Sequence, residues 1–251
     1  MKTSSKVRLD KLLVDRGLVP SRERAHALIL AGKVLVAEQK VEKAGTRVDS
    51  TSNIRLLGED LRYVSRGGLK LELALKHWKI NLRGKRCLDV GASTGGFTDC
   101  MLQNGAAAVI AVDTGYGQIH SSLRNDARVR LLERSNARYL TAEQIGGAVD
   151  FAAIDVSFIS ATLVLPAVMQ AVAPAEIVIL VKPQFEVGRQ QVGKGGIVRD
   201  QEAQRGAVEK VKQVVVSLGG VDLDVTDSPI LGAEGNREFL LHAVLAKRGP
   251  H

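Results

Sequence analysis

Cysteine is scarce in this 251-residue chain. Two residues, Cys87 and Cys100, are too few for a disulfide framework, and neither sits in a CxxC or Cys/His spacing that would suggest zinc. Both therefore read as buried thiols, no metal site is expected, and a reducing, cytoplasmic compartment is the natural setting. Long apolar runs are also missing. The greasiest stretch, Ala161 to Ala175, is broken by Gln170 and falls short of the roughly 20 residues a membrane helix needs. It reads as a buried helix, and no membrane partner is expected. The N-terminus, MKTSSKVRLDKLL, is charged and lacks the apolar core of a signal peptide. No internal repeat or low-complexity tract interrupts the chain.

What is present is positive charge, and it is uneven. Residues 1–84 hold 18 Lys and Arg against 9 Asp and Glu, whereas residues 85–251 hold 17 against 18. The first third thus carries the whole +8 excess, the pattern of a polyanion-binding module joined to a nearly neutral one. Within the basic third, Leu9, Leu12 and Leu13 mark a short amphipathic helix. Pro20 and Ser21 halt the chain and offer an N-cap. Ala25, Leu28 and Ile29 mark a second helix ended by Gly32. Val34–Val36 and Ile54–Leu56 are strand candidates. Arg8, Lys11, Arg22, Arg24 and Lys33 lie beside these helices, where they can track phosphates.

A helix is expected in SRGGLKLELALKHW. From residue 86 onward, short apolar strands alternate with helical stretches: Cys87–Val90, Ala107–Val112, Val129–Leu132, Phe151–Val156 and Ile177–Val181. A charged helix over Asp200–Leu218 follows, then closing strands at Val221–Val225 and Phe239–Leu245. This alternation predicts an α/β fold with a doubly wound, mostly parallel sheet.

Leu88–Phe97, LDVGASTGGF, joins the first of these strands to a helix near Phe97–Asn104. Glycines there let backbone approach a ligand, and the helix N-terminus suits an anionic group. The spacing is not GxGxxG, so a dinucleotide is the weaker reading. Asp113 ends the next strand about twenty residues on, where a carboxylate can accept ribose hydroxyls. Asp89, on the strand before the turn, would face a cationic methionine moiety, or else stabilise the turn. These features favour S-adenosylmethionine, with Asp89, Gly91, Ala92, Ser93, Thr94, Gly95, Gly96, Phe97, Asp113, Asn136, Ala137 and Asp155 as its contacts. Asn136 could equally be a loop cap. His120 is expected to be a loop residue. Gly188–Asp200 reads as a mobile basic loop able to close over RNA.

The order RLDKLLVDRGLVPSRERAHALILAGKVLV resembles the S4 RNA-binding domain. GGLKLELAL, LDVGASTGGFTD, VDTGYGQI, IDVSFIS, LVKPQFE, GKGGIVRD and GNREFL together resemble the TlyA family of ribosomal RNA 2′-O-methyltransferases, some members of which carry hemolysin names. The resemblance spans nearly the whole chain. It implies an S4-like α+β domain at 1–60, a linker at 61–66, and at 67–251 a Rossmann-like class I methyltransferase domain of the FtsJ type with a seven-stranded sheet. It also implies a Lys-Asp-Lys-Glu tetrad, which the motifs place at Lys70, Asp155, Lys182 and Glu238.

The chemistry suits that mixture. Methyl transfer to oxygen is an in-line displacement, helped chiefly by positioning. A ribose hydroxyl is a poor nucleophile until it loses its proton, and a lysine can take that proton when burial or a second cation favours its neutral form. Lys182, at a strand end, is the expected base. Asp155, on the neighbouring strand, and Glu238 are the expected orienters, and Lys70 positions the substrate. Arg66, Arg189 and Lys194 join the expected RNA contacts. The expected partner is ribosomal RNA or a ribosomal subunit, met by a monomer. A cytidine is implied by the family. The chain begins close to the S4-like unit and stops soon after its last strand, which favours 23S over 16S rRNA. A non-catalytic S4 assembly factor and a membrane-active hemolysin are the competing readings. The first would tolerate loss of Lys182, and the second would require a lytic helix that the sequence lacks.

Overall fold

The computed structural model describes residues 6–19, 21–57, 62–172, 175–232 and 235–245. Pro20 and residue 61 of the expected linker lie outside them. The chain divides into two compact units, 1–62 and 63–251.

The first unit is built from β1 (Lys6–Arg8), α1 (Leu9–Asp15), α2 (Arg22–Leu30), β2 (Val34–Val36), β3 (Gln39–Lys40), β4 (Arg47–Asp49) and β5 (Ile54–Leu56). Ser21 caps α2 by accepting from Arg24 N. The apolar positions of the two helices, Leu9, Leu12, Leu13, Ala25, Leu28 and Ile29, bury together against Val34 and Val48. β1 pairs with β4, and β2 lies between β3 and β5.

The second unit opens with α3 (Gly67–His77) and then alternates: β6 (Arg86–Val90), α4 (Gly96–Gln103), β7 (Ala108–Val112), α5 (Ser121–Arg124), β8 (Val129–Leu132), α6 (Ala142–Ile145), β9 (Phe151–Ile154), α7 (Leu165–Val172), β10 (Ala175–Val181), α8 (Pro183–Glu186), α9 (Gln201–Ser217), β11 (Gly220–Asp227) and β12 (Phe239–Leu245). The seven strands order as β11-β12-β10-β9-β6-β7-β8. β6 to β10 are parallel, and β12 runs antiparallel between β10 and β11. The sheet is apolar on both faces because both are covered. Leu88, Val90, Ile177 and Ile179 pack towards α7 and α9, while Cys87, Val109, Phe151 and Val178 pack towards α3 and α4. Both cysteines are buried.

Three expectations need correction. Residues 63–66 are not linker but part of the second unit. Tyr63 is buried, its ring lies where a Cβ on Gly68 would be 2.3 Å away, and Val64 N donates to Asp99 Oδ2 (2.7 Å). Ala161–Ala175 is not one helix. It holds a single 3-10 turn at Ala161–Leu163, then α7, and Ala175 already belongs to β10. Nor is Gly188–Asp200 a free loop. The buried Asn236, from beyond α9, donates to Gly196 O and accepts from Val198 N, and Gln204 Nε2 donates to Val198 O.

Candidate active site

The strand order reverses between β6 and β9: the chain runs outward through β7 and β8, then returns to place β9 on the other side of β6. The carboxyl ends of strands at such a reversal open a crevice. Asp155 N donates to Val90 O (2.8 Å), which sets the residues that leave β6 and β9 side by side. Gly91 has φ +88°, and a Cβ there would lie 2.3 Å from Asp155 O. No side chain fits between these two backbones.

Two cavities meet here. One, of about 250 Å³, is bounded by Ser65, Arg66, Lys70, Thr94, Phe97 and Leu231 among others, and the second, of about 410 Å³, by Asp113, Asn136, Ala137, Phe158 and Ile159 among others. Gly91, Ser93 and Asp155 belong to the walls of both, and Ala92 and Gly96 also line the first. Gly95 lines neither, and serves as the left-handed N-cap of α4 with φ +97°.

Asp113 clasps the glycine turn. Its Oδ2 accepts from Ser93 N (2.7 Å) and its Oδ1 from Gly115 N (2.6 Å). A carboxylate oxygen has two acceptor directions, so each retains one for a ligand. Asn136 is a cap, its Oδ1 accepting from Arg138 N (3.0 Å), and it also borders the larger cavity. His120 caps α5 in the same manner.

Asp89 does not reach either cavity. Its carboxyl is wholly buried beneath the turn, where Thr98 Oγ1 donates to it (2.6 Å) and ties β6 to the first turn of α4. Burial pushes its pKa up to about 7, against the pull of the Thr98 hydrogen bond. The turn-stabilising alternative is the one its geometry fits.

The tetrad residues form two ion pairs. Lys182 follows the last residue of β10 and is the N-cap residue of α8, whose first residue, Pro183, has no N–H to satisfy. Its Nζ lies 2.6 Å from Asp155 Oδ1 and donates to Ser157 Oγ (2.7 Å). Lys70, in the first turns of α3, lies 2.5 Å from Glu238 Oε2, just ahead of β12. Both lysines and Glu238 are buried. Lys70 and Asp155 share the wall of the smaller cavity, so the two pairs converge on one space.

Sequence reasoning missed Ser157 and Phe158. Phe158 is 93% exposed, holds a left-handed φ of +63°, and tilts against Phe185 with ring centres 5.5 Å apart. A bulky side chain in that conformation is strained, and such strain concentrates at functional sites. Its signal in the sequence is its place in the motif IDVSFIS, three residues after Asp155.

Of the expected RNA contacts, Lys11, Lys33, Arg66, Arg189 and Lys194 are exposed and Arg24 is half-buried. Arg8 and Arg22 are exposed but engaged with Asp10. No helix among the described residues is long and apolar enough to cross a membrane.

The pattern common to FtsJ-like methyltransferases matches residues 63–244, and that of S4 domains matches residues 7–54. The chain is 48% identical to the 16S/23S rRNA (cytidine-2′-O)-methyltransferase TlyA of Mycobacterium tuberculosis, over 94% of this chain and 89% of that protein. The chain belongs to the TlyA family of FtsJ-like methyltransferases. A second relative in the family, the 23S rRNA (cytidine-2′-O)-methyltransferase TlyA of Campylobacter jejuni, is 36% identical over 92% of this chain and 97% of its own length. A solved structure from Streptococcus thermophilus that bears a provisional hemolysin name superposes with a TM-score of 0.75. It is 44% identical and covers 96% of this chain and 89% of its own. Family membership makes the seven-stranded unit a methyltransferase domain and the first unit an S4 domain.

Proposed function

We propose that this enzyme methylates the ribose 2′-hydroxyl of a cytidine in ribosomal RNA, with S-adenosylmethionine as donor. The observation that carries this reading is the convergence of the Lys182–Asp155 and Lys70–Glu238 pairs on one cavity at the strand reversal.

The larger cavity fits the donor's adenosine. Asp113 keeps acceptor directions for ribose hydroxyls, and Ala137, Val112, Val156 and Val164 offer apolar walls beside Asn136 for the base. The glycine turn at the junction would receive the methionine portion. When bound, S-adenosylmethionine supplies a methyl group on a sulfonium, which leaves as a neutral thioether. Lys182, held by Asp155 and Ser157, is placed to receive the hydroxyl proton as the ribose oxygen forms its new bond to carbon. Lys70, oriented by Glu238, holds that oxygen in line.

Phe158 stands at the mouth of the larger cavity as a stacking surface for the target nucleotide. Arg66 lies on the rim of the smaller one. Arg189 and Lys194, with Arg8, Lys11, Arg22, Arg24 and Lys33 of the S4 domain, supply phosphate contacts. Both rRNA-modifying relatives named above act on 23S rRNA, which makes it the favoured substrate, with 16S rRNA second.

The test is methyl transfer from labelled donor to purified ribosomal subunits, followed by mapping of the modified nucleotide. Label in a cytidine ribose is expected. Lys182→Ala should lower the rate by about 10²–10⁴-fold while donor binding persists. Donor binding with no label in RNA of either subunit would overturn the proposal.

A further inference from the structure

Among its described residues the S4 domain contains one wholly buried carboxylate, Asp10, with two arginines and a histidine around it. Arg8, from the strand before it, donates through Nε (3.0 Å, to Oδ1) and Nη2 (2.9 Å, to Oδ2). From α2, Arg22 Nη2 (2.8 Å) and His26 Nε2 (3.0 Å) both approach Oδ2. The Lys11 backbone N–H completes the set at 2.8 Å. The carboxylate is hidden, but its partners are not: the side chains of Arg8, Arg22 and His26 are 47%, 59% and 46% exposed.

A guanidinium has five N–H donors. Arg8 commits two groups, Nε and Nη2, and Arg22 only Nη2. Each keeps donors that face solvent. The long side chains, which would otherwise sample many rotamers, are fixed at their tips by a buried anchor on α1 that also receives Arg22 and His26 from α2. Fixing such side chains before a ligand arrives removes part of the cost of immobilising them on binding.

We propose that Asp10 is a positioning residue for RNA: it pre-sets Arg8 and Arg22 as a rigid two-pronged receptor for backbone phosphate. This rests on the reading that Arg8 and Arg22 touch RNA. The anchor gives a prediction whose sign is opposite to that of simple charge. Asp10→Asn makes the surface more positive, which by counterion release alone would tighten RNA binding. Loss of the anchor frees two arginines and should weaken it instead, on the order of fivefold or more.

The experiment is filter binding of end-labelled ribosomal RNA by the full chain across a salt series, with methyl-transfer kinetics on the same variants. Arg8→Ala and Arg22→Ala test the underlying reading, and binding equal to wild type in both would remove it. If they weaken binding, Asp10→Asn is expected to weaken it too, with KM for RNA raised and kcat at saturating RNA unchanged. Equal or tighter binding by a folded Asp10→Asn protein would overturn the positioning role while leaving the RNA contacts intact. Should Asp10→Asn not fold, Arg8→Lys serves. It keeps the charge but cannot make the two-pronged bond, so binding should fall several-fold with the salt slope unchanged. Wild-type affinity for Arg8→Lys would equally overturn the proposal.

Discussion

Glu238→Gln isolates the contribution of the Lys70–Glu238 pair. Lys70 and Glu238 side chains are 11% and 3% exposed, so the substitution leaves an ammonium in a largely dry site facing a neutral amide. Removing one charge of a buried pair costs about 3–5 kcal/mol, because the other stays desolvated and uncompensated. For a domain of this size each kcal/mol moves the melting temperature by about 2–4 °C, which predicts a fall of about 6–20 °C. The remedy is also predictable. Lys70→Met with Glu238→Leu exchanges the pair for apolar groups of similar volume and removes the stranded charge, so most of the stability should return. Activity should not. Glu238→Gln alone misorients Lys70, and misplacement of about an ångström costs on the order of 100-fold in rate. The double variant, lacking the ammonium, should be at least as impaired. Differential scanning calorimetry and labelled methyl transfer on the three proteins decide it. A Glu238→Gln protein that melts with wild type, or a double variant that still methylates, would refute the reasoning.

Two further outcomes follow from the same geometry. Phe158→Ala should leave stability within about 0.5 kcal/mol, since the ring is almost fully exposed. If the ring stacks on RNA, methylation efficiency should fall by about 5- to 150-fold, matching about 1–3 kcal/mol of stacking, and an unchanged kcat/KM would exclude that role. Asp89 keeps its proton up to about pH 7 in the fold, whereas the unfolded chain loses it near pH 4. The folded state therefore binds more protons across that window, and this group's contribution to stability falls as pH rises through it. Urea unfolding at about pH 5 and about pH 8 should show the fall in wild type and a flatter profile in Asp89→Asn; parallel profiles would count against the burial argument.

Much of the fold is legible in the residues because its signals are local. Short apolar strands such as Ile177–Val181, the glycine turn after Val90, and Ser21 ahead of α2 each depend on neighbours in sequence. The lysines and carboxylates of the tetrad are legible as motifs. Less legible are features set by distant partners. Arg8 and Arg22 read as free basic residues until α2 is packed against α1 and both meet Asp10. Gly188–Asp200 looks mobile because its clamp, Asn236, lies about forty residues further on. Asp89 and Asp113 look alike as strand-end carboxylates, yet only the structure separates the one sealed under α4 from the one that opens on the cavity. Phe158 carries no periodic signal, since one exposed ring belongs to no apolar face.

The contact between Lys70 and Glu238 joins residues 168 positions apart. One partner lies near the start of the methyltransferase domain and the other enters β12, the last strand of the described sheet, which pairs along its length with β10. Chains fold progressively as they emerge during synthesis, N-terminal parts first. The S4 domain and the proposed donor cavity can thus take shape while Glu238 is still unmade, and Lys70 gains its ion-pair partner only when β12 slots into the sheet. An enzyme proposed to modify ribosomes is, by this arrangement, without the full tetrad proposed to catalyse that reaction during most of its own translation.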